Sequence, residues 1–233
     1  MSSPCTRCSL LSASTIQFPW LIPIRSPKFL LLIIGFFTLS MLVLTGITSA
    51  VDENISIRFK AVQENETWNL VVTILSSVGD ISTLLILAIV LTVMKRTRRL
   101  GMIFLTVIPI IVISGMYIKV AIGRQNPPYG FASPLEVSEN KIIEDDSPSP
   151  LAKNLSYPSN HVAVATSMAY IVGFKLNRKS KTFGLAIWSF PVIMAITRLY
   201  VMQSYLTDVI AGFLFGLIIS VTMSNLMRLD LSV

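Results

Sequence analysis

Charge is scarce in this sequence. Asp, Glu, Lys and Arg together make up 13% of its 233 residues, against about a quarter in a typical soluble domain. That shortfall excludes an ordinary soluble surface and points to an exterior that largely faces lipid. Soft metal ligands are equally rare, with one histidine and two cysteines, Cys5 and Cys8. The C-x-x-C pair has no second pair and no histidine beside it, so no metal site and no cofactor is expected. Long stretches of apolar–polar alternation are also lacking, which argues against a membrane β-barrel. The net charge is +7, but the cations fall in short clusters between apolar blocks. This is the pattern of membrane topology, and no nucleic-acid partner is expected.

Hydrophobic residues, 53% of the chain, dominate what is present. A membrane-spanning helix needs about 20 predominantly apolar residues. Six stretches approach that length, at about 29–51, 70–94, 100–122, 161–176, 183–202 and 207–227. The expectation is an all-α, polytopic six-helix bundle. It has one membrane domain over 29–227, an N-terminal tail over 1–28 and a short C-terminal tail over 228–233. The first run exceeds the hydrophobic core of a signal peptide, so it reads as an uncleaved span.

The connecting segments alternate in sign. Arg7, Arg25 and Lys28 precede the first span, and Asp52, Glu53, Glu64 and Glu66 outnumber Arg58 and Lys60 after it. Lys95, Arg96, Arg98 and Arg99 fill the next link. Glu136, Glu139, Glu144, Asp145 and Asp146 mark the third, and Lys175, Arg178, Lys179 and Lys181 the fourth. Positive segments stay cytoplasmic, which puts both termini inside and the first, third and fifth loops outside. Phe18, Pro19 and Trp20 read equally well as an interfacial anchor or as part of a mobile tail. Asn54, Asn65 and Asn154 each open a short N-glycosylation pattern on an outer loop, a pattern common enough to arise by chance. The long outer loop over 128–157 suits either a lid or a mobile segment.

Charged groups near spans usually face a bundle interior or water and mark function. Three such places fall on the outer face in this topology. Lys119 ends the third span and is followed by Gly123, Arg124, Gln125, Asn126 and Pro127. Pro158, Ser159, Asn160 and His161 open the fourth. Arg198 and Asp208 bracket the link between the fifth and sixth. Lys119, Arg124 and Arg198 would form a cationic cluster suited to phosphate. The start of the fourth helix adds backbone N–H groups and a positive dipole end. Ser159 sits where either a plain helix cap or a phosphate donor belongs. The lone His161 becomes a candidate general acid beside such a site. Arg198 and Asp208 taken alone read equally well as an interfacial salt bridge.

These residues resemble the three motifs of the type-2 phosphatidic acid phosphatase superfamily, which includes vanadium haloperoxidases. The family pattern is K-x6-R-P, P-S-G-H and S-R-x5-H-x3-D. Here the chain reads K-VAIGRQ-N-P from Lys119, P-S-N-H to His161, and T-R-LYVMQ-S-YLT-D from Thr197 to Asp208. The resemblance implies that Lys119, Arg198, Ser159 and the backbone at Asn160 bind phosphate oxygens. It further implies that His161 protonates the leaving alcohol and that Asp208 orients the nucleophile. Two departures matter. Ser204 stands where the family has the histidine that attacks phosphorus, and a serine hydroxyl is a weak nucleophile without an activating base. Asn126 stands where the family has an arginine, which removes charge that stabilises phosphoryl transfer. Arg124 would compensate in part. Asn160 in place of glycine is the milder change.

Three functions follow. The first is an impaired or non-catalytic superfamily member that binds a phosphorylated lipid headgroup at the outer face, with a membrane-protein partner or self-association in reserve. The second is an active phosphatase of phosphatidic acid or a polyprenyl phosphate or diphosphate, using Ser204 or water. The third is a structural subunit of a membrane complex. A transporter or channel fits less well, because the charged residues gather at one surface instead of along a midplane path.

Overall fold

The computed structural model describes residues 22–63, 66–128 and 150–227. Cys5, Cys8, Phe18, Pro19, Trp20, Asn65, the acidic part of the outer loop over 129–149 and the tail over 228–233 lie outside the described residues. The elements are α1 (Pro27–Leu44), α2 (Ser49–Val62), α3 (Glu66–Val78), α4 (Ile81–Val93), α5 (Arg98–Ile122), α6 (Asn160–Lys179), α7 (Lys181–Ala186), α8 (Ser189–Tyr200) and α9 (Leu206–Leu226), with a 3₁₀ turn at Pro150–Ala152. No β-strand forms among the described residues, so the all-α expectation holds.

Among the described residues, four helical segments are long and apolar enough to cross a membrane: Pro27–Leu44, Arg98–Ile122, Lys181–Tyr200 and Leu206–Leu226. A fifth is obtained when Thr67–Val78 and Ile81–Val93, bent by 43° at their junction, count as one span. The expected sixth, α6, is 20 residues long but falls short in apolarity. Its position explains that composition. α6 packs along α9 and against α5, α7 and α8, so most of its length touches protein and little of it touches lipid. Thr166 and Ser167 sit fully buried in it, each donating its hydroxyl to a carbonyl one turn earlier, at 2.7 and 2.9 Å.

The first span is shorter than its apolar run. α1 begins with Ser26 accepting from the Phe29 N–H and with Pro27 at its first turn, a standard start. It stops at Leu44, and Gly46 adopts φ +73° in the turn that follows. Residues 49–62, expected as the end of the span and an outer loop, instead form the separate helix α2.

Close helix contacts rest on small residues. A Cβ added at Gly212 would lie 2.4 Å from the Ser159 carbonyl oxygen, and one at Gly216 would lie 2.3 Å from the Ala163 carbonyl oxygen. One turn apart on α9, these glycines let it seat against the backbone of α6, as small residues do between membrane helices. On α1, Phe36 stacks on Phe215 at 5.7 Å between ring centroids. Ser40, one turn later, is 2.7 Å from the Tyr157 hydroxyl. Tyr157 is fully buried, and burial pushes its phenol up to about 12. The chain entering α6 is thereby tied to α1.

Gly216→Val forces side-chain atoms into the α6 backbone. The expected result is a loss of about 1–3 kcal/mol, the usual cost of overpacking, read as a lower melting midpoint in detergent. An unchanged midpoint would mean that α6 and α9 do not meet at Gly216.

Candidate functional site

The C-terminal end of α5, the N-terminal end of α6, the end of α8 and the start of α9 converge at one end of the bundle. A short antiparallel contact first joins the stretch after α5 to the approach to α6. The Asn126 N–H donates to the Asn154 carbonyl at 3.0 Å, and the Ser156 N–H donates to the Arg124 carbonyl at 2.8 Å. Gly123, at φ +68°, makes the turn out of α5 that permits this pairing.

Lys119 is 1% exposed, and its ammonium donates to the Leu155 carbonyl at 2.5 Å. One turn earlier, Gly115 leaves the space that the Asn160 side-chain oxygen occupies; a Cβ there would lie 2.1 Å from it. Asparagine in the position of the family glycine is therefore matched by a glycine on the facing helix. Ser159 precedes the first residue of α6 but forms no side-chain cap. Its N–H donates instead to the Asp208 carbonyl at 3.1 Å. The plain-cap reading of Ser159 thus gives way to a fully buried hydroxyl with no hydrogen-bond partner among the described residues. The Asn126 side-chain oxygen is buried in the same condition.

His161 is 2% exposed, and its Nε2 lies 3.1 Å from Oδ1 of Asp80. Asp80 occupies the break between α3 and α4, where its other oxygen caps α4 by accepting from the Ser82 N–H at 3.2 Å. Next to it, Gly79 makes room for Met194 of α8, whose sulfur lies 1.8 Å from where a Cβ would be. Met194 is one turn before Arg198, so the Gly79–Asp80 break faces both His161 and the helix that carries Arg198. Leu199 then packs with Val162 and Val209, the neighbours of His161 and Asp208. Arg198 is buried, and its guanidinium donates to the Gln203 side-chain oxygen.

Two expected roles change. Asp208 does not orient Ser204. Residues 201–205 are non-helical, so the four-residue spacing does not place the two on one helix face. The Asp208 carboxylate turns back to accept from the Tyr205 N–H at 2.8 Å and receives Arg124 at 2.7 Å. The Ser204 hydroxyl is buried, with no hydrogen-bond partner among the described residues. Arg124 does not stand open beside Lys119 as part of a cationic cluster. Its guanidinium reaches Asp208 at 2.7 Å, Asp52 at 2.6 Å and the Thr207 hydroxyl at 2.6 Å, and it lies 4.1 Å over the ring of Tyr205. Burial opposes the charge on Arg124, but the carboxylates of Asp208 and Asp52 outweigh it and raise its pKa above the usual guanidinium value.

Sequence reasoning missed Asp52 and Asp80. Asp52 is fully buried on α2 and accepts from the Thr207 N–H at 3.1 Å and from the Thr207 hydroxyl at 2.6 Å. Nothing in its neighbourhood of sequence announces that. Asp80 had a signal, being a carboxylate inside the apolar stretch 70–94. Among the described residues, no group of three or more His, Cys, Asp or Glu is placed to hold a metal ion.

A model of the PAP2 superfamily matches residues 100–230, more than half of the chain. The fold is similar to the crystal structure of a transmembrane PAP2-type phosphatidylglycerolphosphate phosphatase from Bacillus subtilis. The TM-score is 0.68 at 22% identity, over 86% of this chain and 96% of the other. No curated protein sequence matches significantly.

Arg124→Ala leaves Asp52 and Asp208 buried without their cation. Breaking a buried ion pair in this way costs about 3–5 kcal/mol, so a large fall in melting midpoint is expected. Arg124→Lys should restore little of it, because an ammonium lacks the fork that bridges two carboxylates. A fully stable alanine variant would show that the bridge is not formed.

Proposed function

This chain belongs to the PAP2 superfamily, and from that premise we propose that it binds the phosphate of a phosphorylated lipid at the converged helix ends, with hydrolysis by the phosphohistidine route suppressed. It is an integral membrane protein with the fold of a PAP2 phosphatase, and membrane lipids are its natural ligands. The observation that carries the reading is the pair of buried hydroxyls, Ser159 and Ser204, without hydrogen-bond partners among the described residues, on the same end of the bundle as the buried cations Lys119 and Arg198. Buried polar groups are normally satisfied. A phosphate, with several acceptor oxygens and negative charge, would satisfy both hydroxyls and complement the charge of both cations.

Suppression is supported by what surrounds Ser204. An alcohol needs a base to attack phosphorus. Asp208 is engaged by Arg124 and the Tyr205 N–H, and the chain has only one histidine. Arg124, spent on Asp52 and Asp208, does not replace the charge missing at Asn126. On this reading the site retains binding and loses the group that would form the covalent intermediate. In the topology suggested by the loop charges, the site lies on the extracytoplasmic face.

One observation favours a residual-activity reading. The His161–Asp80 contact gives the family's leaving-group acid a carboxylate partner, which would hold the imidazole in place for proton transfer. Water attack assisted by His161 would then give slow turnover. The same contact would also fix His161 as a phosphate donor, which the binding reading needs.

The test uses purified protein in detergent with phosphatidic acid, a polyprenyl diphosphate or phosphatidylglycerophosphate, the last taken from the name of the Bacillus relative. Lipid-phosphate binding is expected, and Lys119→Gln/Arg198→Gln should abolish it. Phosphate release should be at least about 100-fold slower than in Asn126→Arg/Ser204→His, given what a single oxyanion-stabilising group is worth. Brisk release by the unaltered protein that His161→Ala abolishes would overturn the impaired reading. Absence of both binding and release would leave the structural-subunit role.

A further inference from the structure

The opposite end of the bundle carries a second cavity, of about 490 Å³, between the α4–α5 turn and the C-terminal half of α6. Its size falls within the range of small-ligand pockets. Leu91, Leu100, Val172, Phe174 and Leu176 give it an apolar lining, and Arg96, Lys175, Arg178 and Lys179 supply cations. Lys175 reaches across to donate to the Arg96 carbonyl, which joins the two walls. The Arg178 guanidinium lies 5.5 Å over the ring of Phe174.

Among the described residues, charge at this end is wholly of one sign. Lys95, Arg98, Arg99 and Lys181 lie within two residues in sequence of those that line the cavity. No Asp or Glu occurs from residue 81 to residue 207 among the described residues. The described carboxylates, Asp52, Glu53, Glu66, Asp80 and Asp208, sit on elements of the other end. Membrane topology accounts for cations in these links. It does not account for an apolar chamber framed by them. A soluble anion would gain nothing from the apolar lining, and a neutral lipid would gain nothing from four cations. An anionic amphiphile uses both.

We propose that this cavity is a binding site for one anionic phospholipid of the surrounding leaflet, its phosphodiester headgroup among Arg96, Lys175 and Lys179 and the upper part of an acyl chain against Leu91, Val172 and Leu176. Basic pockets between membrane helices hold anionic headgroups by this combination of point charges and apolar contact. The site is separate from the phosphate site at the converged helix ends and does not depend on it.

Delipidated protein in neutral detergent, titrated with phosphatidylglycerol and followed by native mass spectrometry, is expected to retain one lipid, whereas phosphatidylcholine should not be retained. Arg96→Gln/Lys179→Gln, which alters two surface positions and should leave folding intact, is expected to weaken phosphatidylglycerol binding roughly 30-fold, as loss of two surface cations at about 1 kcal/mol each implies. Val172→Trp, which fills the chamber and keeps every charge, should also abolish it. Lys119→Gln/Arg198→Gln should leave it unchanged. The proposal is overturned if phosphatidylcholine binds as tightly, if the Arg96/Lys179 change leaves binding undiminished, or if the Lys119/Arg198 change removes it. Equal binding of glycerophosphoglycerol, the headgroup without its chains, would also overturn it and assign the cavity to a soluble anion.

Discussion

One guanidinium holds the site end of this protein together. Arg124 lies between two buried carboxylates, Asp52 on α2 and Asp208 at the start of α9, and over the ring of Tyr205. Each carboxylate also accepts a backbone N–H bond, Asp52 from Thr207 and Asp208 from Tyr205. Three pieces of chain far apart in sequence are thereby fixed to one another: the helix after the first span, the turn out of α5, and the link into α9. Charges so deeply buried are tolerable only as a satisfied set. The set therefore specifies the arrangement of these segments more than it adds to their stability.

That arrangement has a chemical consequence. The aspartate that would serve a nucleophile four residues earlier is committed to the frame, and the residue in that earlier position is a serine in a non-helical link. The carboxylate beside an imidazole is found elsewhere, at Asp80 next to His161. Aspartate and histidine still meet at this end of the bundle, but the partners have changed, and the histidine is the one that would meet a leaving group. A frame that is intact without an obvious attacking group fits retention of ligand more readily than fast turnover.

Much of this was legible in the sequence because the motifs are local. The spacing from Lys119 to Pro127, the turn before His161 and the run from Thr197 to Asp208 each lie within one helix end or one link, so short-range patterns report them. What was not legible depends on distant contacts or on backbone geometry. Hydropathy carries the first span through to Val51, because it cannot see Gly46 turning the chain in the left-handed region. The fourth apolar stretch, over 161–176, falls short of a full span for a reason that only packing supplies: α6 is buried against α5, α7, α8 and α9. Asp52 acquires meaning only when α2 folds onto α9. Asp80 was within reach of sequence reasoning, since a carboxylate beside a glycine inside an apolar stretch is costly unless it is paired. The four-residue spacing of Ser204 and Asp208 misled because it assumes a helix where the chain has none.

The short antiparallel contact between the turn after α5 and the approach to α6 has a topological effect. Asn126 with Asn154, and Arg124 with Ser156, pin both ends of the intervening chain at one place. Main-chain bonds are indifferent to side-chain identity. The exit from α5 and the approach to α6 are thus clasped to each other by the main chain itself.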